Sequence, residues 1–379
     1  MNLLEKLSAP GPKRILALDG GGIKGALTLG FLNRIETILR KKHHNENMVL
    51  SNYFDFIGGT STGSIIAALL AIGHSTEYIT KLYRELGGEI FKDDRPVIGG
   101  LFVPKFKSKN LKERLKKEFG DMTLESDKIL TGLCILTKRI DTGGTWPIIN
   151  HPKAKYFKDN KDILLRDAVR ASTAAPSYFE PERLQVKLDQ AGDFIDGGVS
   201  MANNPALYMF MVSQLKGFPF HWNTGKENLL IVSVGTGGTR ARFPLDKLDI
   251  VDKVVKAKHW AVSSIELLMS DAHIFNQMML QSLGYSPTRI SIDREIGNME
   301  LDCITTNPLF TYLRYDMPFD PVIIAQHPTV AEYINKSKID VFDLRKMDKA
   351  KNREVLGAIG EIAADEQVKA DHFSDSFNI

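Results

Sequence analysis

Apolar positions along this 379-residue chain follow two rhythms. Short unbroken runs at residues 14–19, 53–57, 129–137, 194–196 and 229–234 have the length and composition of buried strands. Between them apolar residues recur every third or fourth position, as Leu29, Leu32, Ile35 and Leu39 do after the first run, which is the period of a helix face. Runs alternating with stripes predict an α/β fold whose mainly parallel sheet is covered by helices on both faces, with its loops gathered at the strand carboxyl ends. The mixed segment 239–250 reads as a boundary, and beyond it the spacing is helical. Ile265, Leu268, Ala272, Phe275, Met279 and Leu283 draw one stripe there, expected to pack on the core rather than to meet lipid or a cofactor. The expected organisation is a catalytic domain over 1–240 and a mostly helical extension over 241–379 packed on it.

Three of the runs end in loops that carry chemistry. The second leads into Gly59-Thr60-Ser61-Thr62-Gly63, a G-x-S-x-G before a further apolar stretch. A strand turning sharply into a helix holds such a serine in a strained conformation at the tip, and the flanking glycines admit backbone that passes too close for side chains. The first run ends in Gly20-Gly21-Gly22-Ile23-Lys24-Gly25. Gly20, Gly22 and Gly25 satisfy G-x-G-x-x-G formally, so a dinucleotide site is one reading. That reading requires a second strand ending in an acidic residue for the ribose, whereas the next run ends in the serine elbow. The other use of such a loop is to aim successive backbone N–H groups at negative charge, here an oxyanion formed by attack of Ser61. The 194–196 run delivers Asp196 into Gly197-Gly198, followed by Asn203-Asn204-Pro205. Asp196 reads either as a turn residue or as a partner for the serine.

A glycine loop, a serine elbow and an Asp-Gly-Gly turn, in that order, resemble the patatin-like phospholipases. So does Ala171-Ser172-Thr173-Ala174-Ala175-Pro176-Ser177-Tyr178-Phe179, small residues before a proline and an aromatic. The resemblance runs from Asp19 to about Gly198 and leaves the last third of the chain unexplained. It implies a three-layer α/β/α fold and a lipid acyl hydrolase of the phospholipase A type. Ser61 would be the nucleophile, Asp196 its base, and Gly20, Gly21 and Gly22 the oxyanion hole, with Gly25, Gly59, Gly63, Gly197 and Gly198 shaping the loops. Such a scheme runs through an acyl-enzyme and needs no metal and no cofactor. Lys24 stands where the family usually has a basic residue, suited to a lipid phosphate or to a plain helix surface. A chain of this length with a helical extension also resembles the phospholipase effectors of cyclic-oligonucleotide antiphage systems, which implies a cyclic-oligonucleotide activator. The alternatives are a nucleotide-binding module or a scaffold pseudoenzyme built on residues 20–25.

Composition changes this picture little. Forty-nine basic against 46 acidic residues give a net charge of +3, too mild a bias to indicate a nucleic-acid polymer as partner. With nine histidines, a Ser-Asp-His order is formally available from His221, His259, His273, His327 or His372, but none sits in a recognisable turn motif. Two cysteines, Cys134 in a strand-like run and Cys303, suit a reducing cytoplasm. Residues 1–13 hold no signal-peptide core and no later run approaches a membrane span, so a soluble protein is expected. Peripheral contact with membrane phospholipid is expected through 98–117. There an apolar, glycine-broken stretch precedes Lys105, Lys107, Lys109, Lys112, Arg114, Lys116 and Lys117. The competing reading sets Leu111, Leu115 and Phe119 against the core and leaves the lysines as a solvated face.

Overall fold

The computed structural model describes residues 2–90, 108–176, 178–187, 189–238 and 253–379. Among them the strands are β1 (Lys13–Leu18), β2 (Phe56–Thr60), β3 (Gly132–Arg139), β4 (Thr145–Ile149), β5 (Glu182–Lys187), β6 (Gln190–Asp196), β7 (Leu229–Val234) and β8 (Thr311–Tyr315). They form one sheet in the order β5-β6-β3-β2-β1-β7-β8, with β4 paired to β3. The five strands from β3 to β8 run parallel, while β6 and β4 pair with β3 in the antiparallel sense.

Alternation of side chains along a strand explains why the central runs are apolar without a break. On β1, Leu16 and Leu18 join the core on one face of the sheet, while Ile15 and Ala17 join the core on the other. The first face is covered by the helices Gly25–Lys42, Thr62–Ala71 and Arg353–Gln367, and the second by Ala206–Gln214 with Phe220, Trp222 and Leu280. This is the expected α/β/α layering.

The strand expected from 53 begins later. Leu50–Tyr53 closes a helical turn and β2 starts at Phe56, because the Asp55 carboxylate accepts the Arg14 backbone N–H at 2.9 Å and its guanidinium, capping the edge between the two strands. Beyond residue 252 the chain is helical, as expected, but it also supplies β8, which pairs with β7. The helix Arg353–Gln367 lies against Gly25–Lys42 where Gly30 and Gly360 meet, each leaving no room for a Cβ because the other helix's backbone stands there. The candidate boundary 239–250 lies outside the described residues.

The stripe on the helix Lys253–Leu283 does not pack as expected. Leu268 is 68% exposed and Phe275 51%. The buried face carries Asn276, Gln277, Leu280 and Gln281 instead. Asn276 Nδ2 donates to Met201 O at 2.6 Å, Gln277 Oε1 accepts from Tyr312 Oη at 2.7 Å though its Nε2 is left without a partner among the described residues, and Gln281 Oε1 accepts from Ile290 N at 2.8 Å. Hydrogen-bonding loops and β8 select the polar face for burial, which periodicity of apolar residues does not register.

Candidate active site

Ser61 stands between β2 and the helix Thr62–Ala71, with φ 54° and ψ −124°, a left-handed backbone that a residue with a side chain adopts at a cost. Two contacts hold it. Its N–H donates to Ser172 Oγ at 2.9 Å, and Ser172 Oγ donates in turn to the Leu136 carbonyl at 2.7 Å. The turn is tight enough that Gly63 packs its α-carbon against the Leu18 carbonyl at the end of β1, and Gly59 faces the Gly63 carbonyl. Backbone sits where side chains would go.

Asp196 closes β6, whose register against β3 sets it opposite Thr137. It is buried, and the Ser61 hydroxyl lies near enough to favour its ionised form. Gly198 N donates to Asp196 Oδ1 at 2.7 Å. Burial pushes the Asp196 carboxyl up to about 6, opposed by the nearby Ser61 hydroxyl, by the hydrogen bond from Gly198 and by the Arg170 guanidinium. Arg170 is itself 1% exposed, lies over the Phe179 ring at 5.1 Å and donates to the Glu180 carbonyl at 3.0 Å.

The loop after β1 completes the assembly. Gly20 packs against the Ser61 β-carbon, and its N–H donates to the Asn203 carbonyl at 3.1 Å. Ile23 N–H donates to Met347 O at 2.8 Å and Lys24 N–H to Gly21 O at 3.2 Å. The N–H groups of Gly21 and Gly22 have no partner among the described residues. A continuous cavity of about 2140 Å³ is lined by Gly20, Gly21, Gly22, Ser61, Asp196 and His273, among others. Lys24 lies buried near Asp19, Asp316 and Arg345, and burial pushes its ammonium down.

Of the histidines named from sequence order, His327, which bonds Glu366, His372, which bonds Tyr315, and His273 line this cavity, and burial pushes the His273 imidazole down to about 4. It faces Arg314, Asp316 and Lys24, while the Ser61 hydroxyl meets Asp196. Donor atoms of Asp19, His273 and Asp316 lie within 4.8 Å of one another, a set that could hold a cation. The Arg314 guanidinium already occupies both carboxylates, at 2.7 Å to Asp19 and 2.8 Å to Asp316, so the charge there is balanced by side chains.

Ser172 and Arg170 were not singled out from the sequence. The small-residue segment before Pro176 was the available signal, but its contact with the Ser61 amide depends on how the helix Leu165–Ser172 meets β2.

The arrangement is thus a three-layer α/β/α fold in which a strained serine, a buried carboxylate and a glycine loop share one cavity. The family model for patatin-like phospholipase matches residues 16–210, and the chain belongs to that family. Among curated relatives it is 30% identical over 228 residues to a cGAMP-activated phospholipase of Escherichia coli strain TW11681, covering 59% of this chain and 62% of the relative. A cUMP-AMP-activated phospholipase of Escherichia coli is 30% identical over 275 residues, covering 71% and 76%. Patatin-T5 of Solanum tuberosum is 28% identical over 241 residues, covering 59% and 60%. The chain therefore spans under two thirds of the length of the first and third of these. Among solved structures, VipD from Legionella pneumophila is similar at a TM-score of 0.37 and 14% identity, over 95% of this chain and 68% of that one.

Proposed function

We propose that this protein is a lipid acyl hydrolase acting on fatty-acyl esters of membrane glycerolipids through Ser61 and Asp196. The observation that carries this reading is the strained Ser61 set in one cavity with Asp196, a buried carboxylate whose affinity for a proton is raised by burial and which the Ser61 hydroxyl influences. A carboxylate near ~3.9 is a weak base for a hydroxyl, and desolvation brings it toward the working range of a general base. Ser61 Oγ attacks the ester carbonyl as Asp196 takes its proton. The oxyanion forms against the glycine loop, and because the Gly20 amide is engaged by Asn203, the hole falls to Gly21 and Gly22. The proton passes to the leaving alcohol, and Asp196 then activates the water that releases the fatty acid. Gly25, Gly59, Gly63, Gly197 and Gly198 support these loops.

A second element of the reading is regulation by a cyclic oligonucleotide, of the kind named for the two bacterial relatives, with a role in antiphage defence. Peripheral contact with anionic lipid would bring the cavity to its substrate.

Ser61→Ala and Asp196→Ala, each checked for folding by circular dichroism, are assayed on p-nitrophenyl butyrate and on phospholipid liposomes, with and without cGAMP or cUMP-AMP. Each substitution should remove hydrolysis by several orders of magnitude, and the double variant should be no worse than either single, since both residues act on the same steps. Folded Ser61→Ala protein with substantial remaining activity would sink the assignment.

A further inference from the structure

The glycine loop after β1 contains three successive peptide groups whose carbonyls each have a partner. Gly20 O accepts from Thr236 Oγ1 at 2.8 Å, Gly21 O accepts from Lys24 N, and Gly22 O accepts from Tyr83 Oη at 2.8 Å. The partners come from the turn after β7, from the loop itself and from the helix Thr76–Ile90. A trans peptide is planar, with its N–H directed opposite to its C=O. Holding the Gly20 and Gly21 carbonyls therefore fixes where the Gly21 and Gly22 N–H groups point, and these are the amides left without a partner among the described residues.

The next peptide is gripped at both ends, Gly22 O by Tyr83 and Ile23 N–H by the Met347 carbonyl, so Gly22 cannot rotate alone. Tyr83 also meets Thr62 Oγ1, on the residue that follows Ser61. Its one proton goes to Gly22, so the Thr62 hydroxyl donates to it. Tyr83 and Thr236 are buried, and burial pushes the Tyr83 phenol up to about 12, so it keeps that proton across the working pH range. One phenol thus spans the two loops that must stay in register for an acyl transfer.

We propose that Tyr83 and Thr236 are positioning residues for the oxyanion hole: the Thr236 hydroxyl holds the Gly20 carbonyl and with it the Gly21 N–H, and the Tyr83 hydroxyl anchors the peptide that follows Gly22, so that the Gly21 and Gly22 N–H groups face the carbonyl attacked by Ser61. This rests on the acyl-hydrolase reading above. Neither side chain touches the reacting atoms; each acts through a peptide. Transition-state stabilisation by such donors depends on their being oriented before the charge appears, and loss of one donor costs about 100-fold or more in comparable sites. Loosening a peptide that carries a donor, or the one that anchors it, should cost about tenfold.

The test compares Tyr83→Phe, Thr236→Val and Thr236→Ser with the wild type, using p-nitrophenyl butyrate and an alkylboronic acid, whose serine adduct places an oxygen in the hole. Active sites are counted by fluorophosphonate titration, so that loss of folded protein is separated from loss of rate. For Tyr83→Phe and Thr236→Val, kcat per titrated site should fall about tenfold with KM within about twofold, and the boronate inhibition constant should rise by the same factor as kcat falls. Thr236→Ser, which keeps the hydroxyl, should recover most of what valine loses. A side chain that only supports the fold would lower the number of titrated sites and leave kcat per site and boronate affinity alone, and that result overturns the proposal. If the wild type shows neither Ser61-dependent hydrolysis nor boronate binding, the acyl-hydrolase reading falls and this proposal falls with it. Normal wild-type behaviour with unaltered Tyr83→Phe and Thr236→Val overturns the positioning role alone.

Discussion

Arg314 grips Asp19 with both terminal nitrogens, Nη1 to Oδ1 at 3.0 Å and Nη2 to Oδ2 at 2.7 Å, across 295 positions of sequence. Both side chains are buried, and Arg314 also bonds Ser233 Oγ at 2.7 Å and Asp316 at 2.8 Å. Asp19 is the residue before the glycine loop, so the pair ties that loop to β8, the strand supplied by the last third of the chain.

Removing one partner of a buried pair leaves the other charge without compensation. Arg314→Met should therefore destabilise the fold by about 3–5 kcal/mol. Asp19→Asn, which keeps the shape and a hydrogen-bonding oxygen, should cost less. Urea denaturation of the two single variants and the double variant measures this, and strong non-additivity is expected because the residues touch. A loss below about 1 kcal/mol for Arg314→Met, on the same scale, would mean that the bridge does not hold the loop.

Ser172 supplies the acceptor for the Ser61 backbone N–H. In Ser172→Ala that buried donor is orphaned, at a cost of about 1–3 kcal/mol, and the strained φ of Ser61 loses a restraint. The expected outcome is a lower melting temperature together with a fall in kcat on short-chain esters. Equal kcat in wild type and Ser172→Ala would show that the elbow holds its geometry through the glycines alone.

Activity should depend on pH through a carboxylate. Asp196 must be ionised to act as a base, and burial raises it to about 6, so the rising limb of kcat/KM should be centred near pH 6. The stability effect has the opposite sense. Because the folded value exceeds the unfolded one, the contribution of Asp196 is fully present below the ordinary carboxylate range and is lost as pH rises through about 6. Asp196→Asn should remove that slope from the stability curve. Arg170→Gln should move the activity limb to higher pH, since the guanidinium favours the ionised carboxylate. A limb unmoved by Arg170→Gln would dismiss this electrostatic role.

None of the nine histidines should be indispensable. Of the three that line the cavity, His327 bonds Glu366 and His372 bonds Tyr315, and His273 is the critical case, yet it faces Asp19, Asp316 and Arg314. Folded His273→Ala with hydrolysis as low as Ser61→Ala would replace the dyad by a triad.

Membrane contact can be tested on the helix Ser108–Phe119. Leu111, Leu115 and Phe119 are each 3% exposed, so this helix does turn an apolar face inward, while Lys112 pairs with Glu182 at 2.7 Å and Lys109 with Glu113 at 3.8 Å. Lys116 and Lys117 are exposed and carry no salt bridge among the described residues. Residues 98–107, with Lys105 and Lys107, lie outside them. Reversing Lys116 and Lys117 to glutamate should weaken sedimentation with anionic liposomes, at about 1 kcal/mol per charge removed, and leave p-nitrophenyl butyrate hydrolysis unchanged. Binding that ignores both the reversal and added salt would assign the contact elsewhere.

The sequence by itself carried the central strands and the order of the loops that bear Ser61, Asp196 and the glycines, because these depend on local pattern. An unbroken apolar run makes a strand buried on both faces, and a residue pressed against foreign backbone must be glycine. What it could not carry is whatever depends on which distant segments meet. Ser172 beneath Ser61, Tyr83 and Thr236 on the loop carbonyls, and Arg314 on Asp19 are side chains of ordinary composition that gain their roles from strand order and helix docking. The same holds for the long helix, whose buried face is polar because the loop and strand packed against it offer hydrogen-bond partners. Hydrophobic periodicity reports where apolar surface is available; satisfaction of buried polar groups, a property of the tertiary structure alone, decided which face was used.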